Sequence, residues 1–271
     1  MHFARRYNNS MSTAEPSPSA ANPRRFRWRR PFQYRLRTLL ILMTACAVLF
    51  AWWSQKVRQA RQQRAAVAAI EAADGQIWYD LRRLNIKSLH YWPEWLVNAL
   101  GVDYFAKVKV VSFFHQHLNP TNEHNFANNS QVTDAVLENL KGLTELQVLY
   151  IIGIQVTDAG LEHLKGLKTL QELSVLHTQV TDAGLQHLQG LTALQELSLS
   201  GTQVTGAGLP HLRELTALKG IYLGNTQVTD AGLEHLKGMT ALKELGLRGT
   251  QVTDAGVARL QQALPNCEIE R

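Results

Sequence analysis

The residues with the most evident chemical capacity are histidines. His115, His117 and His124 lie near Glu123 in a stretch that also holds five asparagines, and a His-x-His pair with a third imidazole is a set of donors that zinc accepts. A metal-dependent enzyme is therefore one reading of the chain. Against it, the spacing matches no fixed zinc pattern, no carboxylate or carbonyl is identifiable to orient the rings, and the asparagines suit a loop. A second series, His163, His187, His211 and His235, recurs every 24 residues. On successive packed helices such residues sit about 10 Å apart, and zinc ligation at roughly 2 Å excludes sharing one ion. The two cysteines, Cys46 and Cys267, supply neither a disulfide framework nor a zinc set. No phosphate loop, nucleophile elbow or paired-carboxylate motif is present. The expectation is no catalytic residue, no metal and no small-molecule cofactor.

The 24-residue interval belongs to the whole body of the chain. Gln-Val-Thr occurs at 131, 155, 179, 203, 227 and 251, six copies at one period, which is the signature of a stacked repeat. One unit reads Leu194-x-x-Leu197-x-Leu199-x-x-Thr202-x-Val204, followed by Thr205-x-x-x-Leu209-x-x-Leu212-x-x-Leu215. Its Leu-x-Leu piece has period two and predicts a short strand, so stacking predicts a parallel sheet. After the strand, Thr157 is expected as a helix N-cap, Asp158 as an acid facing the helix dipole, and Val156 with Leu161 as a hydrophobic staple. Leu161, Leu164 and Leu167 form the inward stripe, and Gly166 is expected to end the helix. Thr178, Thr202, Thr226 and Thr250 predict a ladder of hydroxyls bonded to turn backbone, interrupted where Ile154 replaces threonine. In the fourth unit Gly206 stands in the aspartate position and Pro210 lies within the helix, so that helix is expected to begin late.

These units resemble the bacterial leucine-rich-repeat family with the pattern T-Q-V-T-D-A-G-L-x-H-L-x-G-L-x-x-L-x-x-L, akin to the ribonuclease-inhibitor-like superfamily. The Arg-rich Leu36-Arg37-Thr38-Leu39-Leu40 segment also resembles the anchors of planctomycete-type membrane-anchored members. The resemblance implies an α/β solenoid with a parallel sheet on its concave face and short helices on its convex face. It implies binding and transfers no catalytic residue.

Charge divides the chain. Residues 1–53 hold nine Arg and one acid, and the remaining 218 residues hold 19 bases and 21 acids, a balance of −2 that argues against nucleic-acid binding by the body. Residues 1–35 read as a disordered basic cytoplasmic tail and residues 36–54 as a transmembrane anchor, since Thr38 to Trp53 carry no charge. A cleaved signal peptide is the runner-up, but the apolar run ends in Trp52 and Trp53, which suit a membrane interface. Residues 55–75 read as a helical stalk stopped by Asp74-Gly75, residues 76–107 as an aromatic cap, and residues 108–271 as the solenoid with an inserted loop at 115–129.

On each strand the residues flanking the inward leucines point to the concave surface. Val110, Phe114, Val148, Tyr150, Ile152, Leu176, His177 and Tyr222 are the expected partner-binding set, while later units present smaller and more polar residues such as Glu196, Ser198, Gly220 and Glu244. The cap or the loop folding over this patch is the competing reading. The function expected is a non-enzymatic protein-interaction module tethered to the cell (inner) membrane through residues 36–54, with the repeat domain extracytoplasmic. A cytosol-facing adaptor is the alternative to that placement. Seven basic residues precede the apolar run and four follow it, at Lys56, Arg58, Arg61 and Arg64, so the tail should stay cytoplasmic. Alkaline phosphatase fused after Arg271 should accordingly be active. An inactive fusion, with a cytoplasmic reporter active at the same site, reverses the topology.

Overall fold

The computed structural model describes residues 31–79, 107–113, 133–152 and 155–271. Phe114, the loop histidines, Ile154 and most of the expected aromatic cap lie outside these residues. Two compact units are distinguished, Met1–Leu49 and Phe50–Arg271, and helix α1 (Pro31–Ala72) runs through both sequences.

In the first unit α1 is long and apolar enough to cross a membrane. Its Leu39, Ile41, Met43, Val48 and Leu49 side chains are exposed. Thr44 Oγ1 donates to the Ile41 carbonyl at 2.9 Å, so the hydroxyl is satisfied inside the helix, as an apolar surrounding requires.

In the second unit the end of α1, where a helical stalk is expected, is helical and packs on the repeats. Ala60, Gln63, Ala66, Val67, Ile70 and Ala73 are buried at helical spacing, and the last four apolar ones join Val111, Phe113 and Leu137 in one core. The helix therefore covers the first strand of the solenoid. It ends in a Schellman motif: Gly75 N–H donates to the Ile70 carbonyl at 2.8 Å and Asp74, at φ 61°, takes the left-handed position. The chain then reverses into β1 (Gln76–Tyr79), which pairs antiparallel with β2 (Val108–Ser112).

From β2 onward the sheet is parallel and follows chain order through β3 (Val148–Ile152), β4 (Glu172–Leu176), β5 (Glu196–Ser198), β6 (Gly220–Tyr222), β7 (Glu244–Gly246) and β8 (Glu268–Glu270). This is the leucine-rich-repeat solenoid, closed at its N-terminal edge by one antiparallel strand. Leu149, Leu173, Leu197, Ile221 and Leu245 stack in register and are essentially fully buried. The convex elements are shorter than expected. The helix Asp158–Glu162 ends at the His163 cap, three residues before Gly166, and its counterparts are Asp182–Leu185 and Asp230–Leu233. Pro210 lies in the first turn of a 3-10 segment, Leu209–Leu212, in agreement with the expected late start. The last helix, Asp254–Ala263, is the longest convex one and buries Leu260, with Leu264 and Cys267 buried just after it.

Two polar series repeat along the stack, one within units and one between them. Thr202, Thr226 and Thr250 donate Oγ1 to the carbonyls of Leu199, Leu223 and Leu247 at 2.6–2.7 Å, whereas Thr178 Oγ1 is buried without a partner among the described residues. The aspartates stand in the first helical turn as expected, and the second series gives them a further role. Asp158 reaches the next unit, accepting from Thr181 N at 2.8 Å and from Thr181 Oγ1 at 2.6 Å, and Asp134, Asp182 and Asp230 repeat this with Thr157, Thr205 and Thr253. Gly206 breaks the series, and the Thr229 side chain makes no cap hydrogen bond. At that step Gly206 and Gly232 approach so closely that a Cβ on either would lie 2.6 Å from the other's Cα.

Two comparisons test this packing. Leu197→Ala should cost about 2–5 kcal/mol in chemical denaturation and Glu196→Ala under about 0.5 kcal/mol, since one is buried and the other exposed. Thr181→Ala should cost about 1–2 kcal/mol through loss of the Asp158 bond and its own cap, while Thr229→Ala should cost under about 0.5 kcal/mol. Equal losses for the two threonines would remove the aspartate ladder from the energetics.

Candidate partner-binding face

The parallel register turns the outward side of the sheet into rows. One row runs Val110, Val148, Glu172, Glu196, Gly220, Glu244, Glu268. The next runs Ser112, Tyr150, Ser174, Ser198, Tyr222, Gly246, Glu270. Strand alternation alone produces this, because the leucine between the two rows is committed to the core.

Of the expected binding residues, Val110, Val148, Tyr150 and Leu176 are half-buried and lie together on β2–β4. Ile152, paired with Leu176, is only 7% exposed and belongs nearer the core than the surface. His177 is exposed just beyond β4, with φ 51° in the turn, and its ring lies against Gly201. Tyr222 is half-buried but separated from Tyr150 by Ser174 and Ser198, about 14 Å along the sheet at the usual strand spacing. It does not join the apolar group.

Glutamates occupy the rest of the face. Glu172, Glu268 and Glu270 escaped the residue-by-residue reading, although the 24-residue interval from Glu196 and Glu244 locates Glu172 and Glu268. Among the described residues none of these five glutamates is in an ion pair. Tyr150 donates its hydroxyl to Glu172 Oε1 at 2.5 Å, and three units later Tyr222 donates to Glu244 Oε2 at the same distance. Tyr150 is pushed up to about 12, first by burial and then by the Glu172 bond. Tyr222 is also pushed up to about 12, but here the Glu244 bond comes first and burial second. Tyr222 crosses the sheet between two glycines: a Cβ at Gly220 would lie 3.4 Å from its Cε2, and one at Gly246 would lie 3.1 Å from its Cδ1.

The convex histidines are half-buried rather than fully on the surface. His163 and His187 each hold a buried Nδ1 without a partner, and burial lowers the pKa of His187. His211 Nδ1 accepts from Gln189 Nε2 at 2.9 Å and His235 Nδ1 from Arg213 Nη2 at 3.1 Å, each donor being unable to accept. Among the described residues no group of three or more His, Cys, Asp or Glu is placed to hold a metal ion. His115, His117 and His124 fall outside those residues.

The chain matches no protein-family model and no curated protein. Among solved structures it is similar to an internalin, InlF, from Listeria monocytogenes, with 26% identity over 49% of this chain and 36% of that one, at a TM-score of 0.43. Internalin C2 from the same organism gives 24% identity over 51% of this chain and 73% of that one, at 0.37. A leucine-rich-repeat protein from Leptospira interrogans gives 23% over 49% and 39%, at 0.37. The chain thus spans about a third of the length of the first of these structures.

The tyrosine–glutamate bonds fix a pH response. Because the folded ionisation lies above the ordinary value of 10, the protonated phenols favour the folded state fully below pH 10, and that contribution is lost as pH rises from 10 through about 12. In an ultraviolet absorbance titration, Glu244→Gln should bring one tyrosine back toward pH 10, and Tyr222→Phe should delete that same transition. A Glu244→Gln titration identical to that of the parent would mean that the bond does not form in solution.

Proposed function

We propose that the chain is a non-enzymatic interaction module, anchored in the cell membrane by residues 36–54, that displays its leucine-rich-repeat solenoid outside the cytoplasm and binds a protein partner on the concave face. The observation that carries this reading is the placement of half-buried Val110, Val148, Tyr150 and Leu176 on three adjacent strands, Val110 directly beside Val148, on a sheet whose other side is already filled by leucine. Apolar side chains on the open side of a sheet add nothing to that core, and an aromatic flanked by aliphatics is the composition of an interface centre. Phe114 and His177 extend the patch in sequence, and Tyr222 serves the polar half of the face. The long apolar part of α1 supports the tether.

A photo-crosslinking amino acid placed at Tyr150 should yield a discrete adduct in intact cells, and the same group at Glu162, on an exposed convex helix, should not. Tyr150→Ala should lower recovery of that partner while the thermal unfolding midpoint stays within a few degrees, because the ring is not core. Adducts at Glu162 and none at Tyr150 would move the partner surface to the convex side.

A further inference from the structure

The outward face of the sheet is polarised along one line, with aliphatic side chains on β2, β3 and the end of β4 and carboxylates on β4, β5, β7 and β8. Glu172 lies in register beside Glu196, and Glu244 beside Glu268, one strand spacing of about 4.8 Å apart. Like charges directly opposite on neighbouring strands are destabilising, and among the described residues no cation pairs with any of them. Tyrosine hydroxyls satisfy one oxygen each of Glu172 and Glu244, and the face keeps its negative charge without a countercharge among the described residues. Toward the C-terminal edge it also has a shape: Tyr222, Glu244, Gly246, Glu268 and Glu270 line a cavity of about 300 Å³. The tyrosine ring, held between Gly220 and Gly246, lines it together with Glu244, Glu268 and Glu270 and the Leu245–Gly246 stretch of β7. A π face beside carboxylate oxygens is the environment that takes up a guanidinium or ammonium group.

We propose that the concave face binds an extended, cationic segment of a partner protein that crosses the strands, with an aliphatic residue against Val148 and Tyr150 and basic side chains over Glu172 and Glu196 and in the cavity beside Tyr222. The inference rests on the reading of this face as the partner surface and adds the partner's chemistry and polarity. From β3 to β8 the span is about 24 Å, which an extended segment of roughly seven residues covers. The aliphatic end of that segment lies toward the N-terminal strands and the basic end toward β8.

The test uses the full chain in a non-ionic detergent and a fluorescent peptide of roughly seven residues, capped at both ends, with leucine first and arginine at alternate later positions. Anisotropy should report binding that weakens as salt rises, and replacing every arginine by neutral citrulline should weaken it by roughly tenfold or more. Glu244→Gln combined with Glu268→Gln should cause a similar loss, since both side chains are exposed and the change keeps their shape. Glu138→Gln combined with Glu162→Gln removes the same charge from the convex side and should leave affinity within about twofold. Absence of binding, equal binding of the citrulline peptide, or equal loss in the convex pair would each overturn the proposal. A partner adduct at Tyr150 alongside charge-independent peptide binding would overturn the cationic assignment alone and leave the partner surface standing. Charge-dependent peptide binding without that adduct supports the acidic half and removes the apolar half from the surface.

Discussion

Everything in the repeat domain depends on one constraint: a side chain at a given position meets its own counterpart one strand spacing away. For leucine this is favourable without further arrangement, since Leu149, Leu173, Leu197 and Leu245 stack into a continuous apolar column that no unit could bury alone. The backbone follows the same rule. Gln171, Gln195, Lys219 and Lys243 each donate N–H to the carbonyl of the equivalent residue one unit earlier, all at 2.7 Å. Polar positions satisfy the rule when donor and acceptor differ by a residue in register, as in the aspartate of one unit accepting from the threonine of the next, or when the residue type changes between units, as where Lys219 donates to Gln195. Charged positions violate it, and the aligned glutamates show where the fold tolerates that violation, on the face with nothing beneath it to satisfy.

The exceptions to the repeat are as informative as the rule. Gly206 removes one aspartate acceptor, and in its place the backbones of Gly206 and Gly232 come into contact that no side chain would permit. A little further on, the unit keeps the 3-10 segment of its neighbours, at Leu209–Leu212 as at Gln186–Leu188 and Glu234–Leu236, but lacks the α-turn that precedes it in them. The loss of one inter-unit hydrogen-bond pair is thus met by closer backbone packing at the same step. Elsewhere the repeat glycines have the opposite neighbour, because a Cβ at Gly160, Gly184, Gly208 or Gly256 would strike the aspartate carboxylate of the preceding unit. Aspartate and glycine in the Asp-Ala-Gly run are therefore two halves of one contact made between units.

Solenoid ends lack the neighbour that the interior relies on. After β7 a helix of ten residues buries Leu260, and Leu264 and Cys267 are buried just beyond it. At the N-terminus the last turns of α1 lie against Val111 and Phe113, and an antiparallel strand takes the edge. The same helix that is long and apolar enough to cross a membrane is therefore also, in its later residues, part of the repeat domain's core. Its amino acids differ accordingly, large and aliphatic before Trp53, small and alanine-rich after it.

Six copies of Gln-Val-Thr at one interval were enough to specify strand, turn and helix order, the buried leucines, and the alternation that sends Glu196 and Tyr150 outward, because these follow from local periods of two and of 24. The aspartates read from the chain alone as partners of their own helix dipole. They do stand in that first turn, but their hydrogen-bond partners are 23 residues away and become visible only when units are stacked. Likewise the alanines of residues 60–73 have no strong hydrophobic signal, and only packing against Phe113 distinguishes a covering face from a free stalk. Ile152 alternates outward on paper, yet the neighbouring β4 leaves it 7% exposed. The alignment of Glu172 with Glu196 and of Glu244 with Glu268, and the cavity under Tyr222, were decided by the tertiary structure, since distance between residues one repeat apart is set by how closely two units pack and by nothing within either unit.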